Sequence, residues 1–188
     1  MRKIILFSAG LFLIFLQCVY ALDKDKKVDF DGEAYYLAFS DKIPSGGYLN
    51  QYVREGEDLN NCKKLIGVYH FPNLSGPKQA VINLSAVIAK GDNQEKYKII
   101  TGDKGEEALI DYFTWAEKEP LIAEFNIFRY VKRKDKQGVI AFQFCFRNYG
   151  PLTAEYNNAF NKNRLRWIEL MEGAEIPGLL EYSYKTGN

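Results

Sequence analysis

The sequence has few of the residues that build metal centres and catalytic sites. It contains one histidine, His70, and three cysteines in 188 residues. No two cysteines form a C-x-x-C pair, so the usual zinc-binding and thiol-redox motifs are missing from it. Phosphate-binding loops of the G-x-x-x-x-G-K-[ST] type and G-x-S-x-G nucleophile turns are missing as well. We therefore expect no metal, no cofactor, and a protein that binds rather than catalyses.

The chain also lacks an excess of charge of either sign. It carries 25 basic and 24 acidic residues, a formal net charge of +1. Without a strong positive field, nucleic acid and anionic membrane are unfavourable partners. A protein or an apolar ligand is the partner class that this composition leaves open.

The longest apolar run lies at the amino terminus. Met1-Arg2-Lys3 is basic, residues 4–16 are apolar, and Val19-Tyr20-Ala21 offers small residues where a signal peptidase reads the chain. This order predicts a signal peptide over residues 1–21, cleaved after Ala21. The apolar core is too short for a membrane-spanning helix, which needs about 20 residues. We expect an exported protein, periplasmic or extracellular, with no transmembrane segment after cleavage.

Cys18 lies inside this segment and leaves a second interpretation open. A bacterial lipoprotein is cleaved next to a cysteine that follows a small residue, and Gln17 is not small. A membrane-tethered lipoprotein acylated at Cys18 is thus an alternative to cleavage after Ala21.

The rest of the chain divides into a short lead-in and one domain. Residues 22–32 are charged and poor in large apolar side chains, which predicts a flexible segment. Residues 33–188 show no repeat, no low-complexity tract and no linker, and their length suits a single domain with one core.

Four apolar runs predict the centre of the fold. They are rich in Ile, Val, Phe, Tyr and Thr, and short polar turns separate them, as in antiparallel hairpins. The runs are Tyr97–Thr101, Ala108–Trp115, Ile122–Val131 and Val139–Arg147. A helix over residues 106–118 is the alternative for the second run, and we favour a strand because of its aromatic and β-branched residues.

Two segments have the apolar periodicity of helices. Pro77–Lys90 follows a serine and a glycine that suit a helix start, and Thr153–Glu172 ends at Gly173. Together these patterns predict an α+β fold. In this fold, a mostly antiparallel meander of five to seven strands is covered by the two long helices.

A short motif precedes a predicted strand over Ile66–Phe71. Residues 52–61 read Tyr-x-x-x-Gly-Glu-x-Leu-x-Asn, and a strand follows. The motif resembles one in secreted proteins and lipoproteins of Gram-negative bacteria that lack an assigned function. In that pattern a tryptophan usually follows the asparagine, and here Cys62 takes its place. The resemblance implies a bacterial exported protein and carries no activity with it.

Cys62 and Cys145 remain after the predicted cleavage. In an exported protein they are candidates for a disulfide, and two buried free thiols are the alternative. A thiol beside His70 would instead supply the nucleophile and base of a small exported hydrolase, the rival to a binding function. The simpler interpretation of His70 is a strand residue that faces solvent or bonds to its neighbours.

Basic residues cluster near the predicted turn between the last two strands. They are Arg129, Lys132, Arg133, Lys134 and Lys136. Such a cluster either keeps a hairpin tip solvated or contacts an acidic partner or lipid headgroup. Aromatic residues make up 15% of the chain, which indicates either a core of Phe and Tyr or an exposed surface for an apolar ligand.

Overall fold

The computed structural model describes residues 22–44, 46–90, 97–102, 105–115, 121–134 and 137–181. The predicted signal peptide, Cys18 and Lys136 lie outside the described residues. The elements in chain order are β1 (Asp23–Phe30), β2 (Glu33–Lys42), β3 (Tyr48–Arg54), β4 (Lys64–Phe71), α1 (Pro77–Ile88), β5 (Tyr97–Thr101), β6 (Glu107–Trp115), β7 (Ile122–Lys132), β8 (Val139–Tyr149) and α2 (Ala154–Gly173).

The eight strands form one antiparallel sheet in the order β1-β2-β3-β4-β8-β7-β6-β5. Two four-stranded meanders, β1 to β4 and β5 to β8, are joined where β4 pairs with β8. Helix α1 connects the two meanders. It carries the chain from the middle of the sheet to its far edge, where β5 begins.

The four apolar runs of the sequence correspond to β5, β6, β7 and β8, and the run with two interpretations is a strand. The antiparallel α+β character of the fold is therefore confirmed. Helix α2 begins where Thr153 accepts a hydrogen bond from the Tyr156 backbone N–H at 3.1 Å, as an N-cap should.

The two helices pack on opposite faces of the sheet. Helix α2 packs on the face that we call the α2 face, which carries Phe125, Ile127, Phe142, Phe144 and Phe146. Helix α1 packs on the other, the α1 face, which carries Ala108, Ile110, Tyr112, Phe128, Tyr130 and Ala141. The separation follows from the pleat, because alternate residues of a strand point to opposite sides.

The sheet is strongly curled about its α2 face. The Phe30 ring of β1 lies 5.9 Å from the Phe142 ring and 5.1 Å from the Phe144 ring, both on β8. Four strand spacings separate β1 from β8, about 19 Å if the sheet were flat. The first meander therefore folds over and packs its own apolar side chains against the centre of the sheet.

The predicted arrangement of two long helices over a sheet of five to seven strands is wrong. The sheet has eight strands, α1 has only 12 residues, and each helix lies on a different face. The physical reason is the curl. Since β1 and β2 bury their apolar residues against β8, that half of the α2 face needs less helix to cover it.

The lead-in predicted to be flexible differs as well, because residues 23–30 form β1. Val28 and Phe30 are buried, and the exposed charged residues alternate with them. Asp31 and Gly32 have φ angles of 54° and 74°, as a two-residue type I′ hairpin requires. The Asp31-Gly32 dipeptide favours such a hairpin, but the charged residues around it favoured the prediction of a flexible segment.

Candidate functional site

The two candidate cysteines are both buried, and both are free thiols. Cys62 lies in the turn before β4, and Cys145 lies in β8, where it points away from Phe144 and Phe146. The sulfur atoms are not within disulfide-bonding distance, so the disulfide prediction is not supported and the two-thiol alternative describes the structure.

Burial sets the chemistry of both thiols. Burial raises the pKa of Cys62 above its usual value, although Arg147, whose guanidinium lies 3.2 Å from the sulfur, opposes the shift. Burial raises the pKa of Cys145 well above its usual value in the same way. Both side chains therefore stay protonated at neutral pH, and a protonated thiol is a poor nucleophile.

His70 lies far from Cys145, and Cys62 precedes the start of β4, at the opposite end of that strand from His70. In the register of β4 with β8, His70 is opposite Ile140, and Leu65 is opposite Cys145. Ile140 and Cys145 are five residues apart on β8, or about 16 Å along the strand. The His70 and Cys145 side chains also lie on opposite faces. The His70 Nε2 atom is 3.1 Å from the backbone carbonyl oxygen of Gln137, and the residue is mostly buried. The structure thus brings together neither of the two predicted Cys/His pairs.

A chain of polar side chains crosses the α1 face, and its residues were not among those predicted from the sequence. The Tyr69 hydroxyl donates to Gln143 Oε1 at 2.5 Å, and Gln143 Nε2 donates to Asn126 Oδ1 at 2.8 Å. Asn126 Nδ2 lies 3.4 Å from Glu124, which accepts from Arg147 Nε at 2.6 Å. We call these five residues the polar ladder.

The polar ladder is satisfied internally and reaches the turn that holds Cys62. Arg147 donates to the Leu59 carbonyl at 3.1 Å, and the Tyr149 hydroxyl donates to the Cys62 carbonyl at 3.1 Å. Asn126 and Gln143 are buried. In the sequence each appears as an amide residue between apolar neighbours, and only the register of β7 with β8 makes the two diagonal neighbours. The ladder fixes the pairing of β7 with β8.

The motif at residues 52–61 builds the turn beside these thiols. Gly56 has a φ of +81°, which favours glycine, and Leu59 is buried against Cys62. The Asn61 side chain closes the turn by bonding to both the backbone N–H and the carboxylate of Asp58, at 2.9 and 3.0 Å. The motif residues therefore have a structural role in joining β3 to β4.

Most of the basic cluster is paired. Arg129 donates to Glu107 and to the Met171 and Ala174 carbonyls, so it holds the end of α2 to the sheet. Arg133 pairs with Glu181 at 3.1 Å, and Lys132 pairs with Glu106 at 3.5 Å. No carboxylate of the described residues forms an ion pair with Lys134.

A groove of about 300 Å³ lies between the β7–β8 hairpin and the segment that follows α2. We call it the hairpin groove. Its hairpin side is lined by Val131, Lys132, Arg133, Lys134 and Ile140, and its opposite side by residues 176–179. Apolar and basic residues therefore meet in one concave surface, as ligand sites require.

The aromatic residues mostly fill the core. Trp167 stacks among Phe125, Phe144 and Phe146 with ring centroids 4.9 to 6.3 Å apart. Among the described residues, no group of histidine, cysteine and carboxylate side chains is arranged to hold a metal ion. No helix in the described part of the chain is long and apolar enough to cross a membrane.

Comparisons with known proteins give one match. No curated protein matches the chain. No solved structure matches it either. A family model covers residues 22–176, from the start of β1 to just beyond α2. The chain therefore belongs to that family, which is a family of uncharacterised proteins.

Proposed function

We propose that this protein is exported and acts by binding a ligand or partner in the hairpin groove, without catalysis. The amino-terminal sequence supports export, since a basic start, a short apolar core and a small-residue site occur in order. The family match also begins at Leu22, the first residue after the predicted cleavage site.

The hairpin groove is the observation that carries the binding proposal. It combines apolar side chains from two strands with basic residues of the adjoining turn. At about 300 Å³ it lies at the lower end of the range for small-molecule sites. Its two sides come from distant parts of the chain, so the folded structure is required to form it.

The geometry argues against the rival hydrolase. A general base has to reach the proton of its nucleophile, directly or through one water. His70 lies on the opposite face of the sheet from Cys145, and both thiols are buried with raised pKa values. A lipoprotein acylated at Cys18 remains the alternative for how the protein is held after export.

Intact-mass analysis of protein produced from the full sequence in a bacterial host tests export. We expect a mature chain that starts at Leu22, is recovered outside the cytoplasm and has two thiols that alkylate only after denaturation. A full-length cytoplasmic product would contradict export. An acylated Cys18 would show instead that the exported protein is tethered to a membrane.

Two variants test the binding part of the proposal. Lys134→Glu should weaken binding of the ligand or partner, whereas Lys78→Glu, an exposed lysine on α1, should leave it unchanged. A Cys62→Ser, Cys145→Ser double variant that folds should bind as the unmodified protein does. Loss of a measurable hydrolytic activity in that double variant would instead support the thiol hydrolase.

A further inference from the structure

We infer that the hairpin groove takes a single-chain amphiphile with a carboxylate headgroup, such as a fatty acid anion. This inference rests on the proposed function and names the ligand class for the same site. The apolar chain would lie along the floor of the groove, and the carboxylate would lie against the basic turn.

The floor of the groove is aliphatic. Val131 and Ile140 are register partners on β7 and β8, and their side chains lie on the α2 face. Ile176 and Leu179 contribute from the other side, and both pack against the aromatic core with part of their surface exposed. An apolar chain on this floor would cover surface that water now contacts, which is favourable in proportion to the area buried.

The charge of the turn fits a single negative headgroup. Lys132, Arg133 and Lys134 line the groove, and two carboxylates, Glu106 and Glu181, pair with the first two. Among the described residues, Lys134 is the groove cation that forms no ion pair. A single carboxylate headgroup can pair with this lysine.

The far side of the groove is held in place before a ligand arrives. The buried Asn50 side chain accepts from the Leu180 backbone N–H at 2.8 Å and donates to the Leu180 carbonyl at 3.1 Å. At the other end, Arg129 donates to the Ala174 carbonyl at 2.7 Å. Since both ends of residues 174–180 are tied to the sheet, the groove is preformed, and binding costs little ordering of the chain.

The size of the groove favours one chain. A volume of about 300 Å³ is at the minimum for ligand pockets, and a two-chain lipid needs more room. Binding to an anionic membrane depends on several unpaired basic residues acting together, and in the described part of the turn only Lys134 is unpaired.

Calorimetric titration of the purified, delipidated exported protein with dodecanoate below its micelle concentration tests this inference. We expect one dodecanoate per chain. Across fatty acid anions of increasing chain length, the dissociation constant should fall about fourfold per added methylene until the groove is filled. Dodecanol, with the same chain and no charge, should bind up to about fivefold more weakly, the effect of one exposed ion pair. Added salt should reduce that difference.

Two matched variants complete the test. Lys134→Gln should bind dodecanoate and dodecanol equally, while Lys78→Gln, on the opposite face of the sheet, should keep the preference for dodecanoate. Equal binding of the two ligands by the unmodified protein, or the same result for both variants, overturns the inference. So does binding to anionic vesicles without binding to monomeric dodecanoate.

The failure of this inference differs from a failure of the proposed function. A glutamate-rich peptide that binds through Lys134, when dodecanoate does not bind, would overturn the ligand class and leave an exported binding protein. A protein that is retained in the cytoplasm, or that hydrolyses substrates through Cys62 or Cys145, would overturn the proposed function itself.

Discussion

The two faces of the sheet are stabilised in different ways. On the α2 face, aromatic rings from β7 and β8 surround Trp167, Phe30 of β1 packs on β8, and apolar burial dominates. On the α1 face, buried tyrosines and thiols adjoin the polar ladder from Tyr69 to Arg147. The two faces therefore contribute differently. Apolar burial on the α2 face stabilises the fold, whereas hydrogen bonds on the α1 face fix the strand register, because hydrogen bonds are directional and apolar contacts are not.

The largest expected loss of stability comes from removing the Trp167 side chain from the α2 face. Trp167 is 2% exposed and contacts three phenylalanine rings. Trp167→Ala should lower the free energy of unfolding by about 3–5 kcal/mol, measured by urea denaturation, because it leaves a large cavity. Leu165→Ala on the same helix is the control, since Leu165 is 67% exposed and its loss should change stability by less than about 0.5 kcal/mol. Similar losses for both variants would show that α2 does not anchor this face.

Alkaline pH should destabilise the α1 face more than the α2 face, where burial raises the pKa values of Tyr35 and Tyr156. Burial raises the pKa values of Cys62, Cys145, Tyr69, Tyr112 and Tyr130, all of which lie on the α1 face. In the unfolded chain these thiols and phenols ionise near 9.0 and 10.0, while the folded protein retains the protons. The stability is therefore fully present below pH 8 and falls as the pH rises past these values, by about 1.4 kcal/mol per pH unit for each group.

Urea denaturation between pH 7 and pH 10.5 measures this loss. A Cys145→Ala variant should be less stable at pH 7 but should lose less stability between pH 9 and pH 10 than the unmodified protein. Stability that stays constant to pH 10.5 would contradict the burial of these groups.

Breaking the polar ladder should lower the free energy of unfolding by an intermediate amount. Gln143→Leu leaves the Tyr69 hydroxyl and the Asn126 amide without their partner, which should cost about 1–3 kcal/mol of unfolding free energy. Adding Tyr69→Phe removes one of the two orphaned groups. The double variant should therefore lose less stability than the sum of the single changes, and additive losses would show that the ladder does not act as a unit.

The smallest loss of stability should come from a change at Asp31, in the turn between β1 and β2. Asp31 accepts from Trp167 Nε1 at 2.9 Å and pairs with Arg166 at 2.5 Å. Asp31→Asn keeps a residue that tolerates the positive φ but removes a buried charge that also lies 3.7 Å from Lys64 Nζ, and it should cost about 1 kcal/mol. Asp29→Asn, at an exposed position of β1, is the control and should be close to neutral in thermal denaturation. Equal effects would mean that the Asp31 ion pair contributes nothing measurable.

Much of the second meander could be predicted because its information is local. Apolar runs and polar turns alternate regularly between residues 97 and 147, and each hairpin connects neighbours in the chain. The first meander was harder to predict, because charged residues surround the apolar Val28 and Phe30 of β1. Their burial depends on β8, more than a hundred residues away.

The candidate site could be predicted only in part, for the same reason. The basic residues of the β7–β8 turn are visible in the sequence, but the far side of the groove comes from the segment after α2. The ladder residues Gln143 and Asn126 become diagonal neighbours only through the register of β7 and β8. Whether His70 meets a cysteine also depends on the β4–β8 register, which the sequence does not specify.

The sequence by itself determined the alternation of strands, both helices, the α+β class and the expectation of export. Each depends on residues close together in the chain, through side-chain periodicity, turn chemistry and capping. Only the tertiary structure decided the curl of the sheet, the opposite placement of the helices, the free state of Cys62 and Cys145 and the hairpin groove. These features depend on contacts between residues far apart in sequence, and such contacts form only when the whole chain packs.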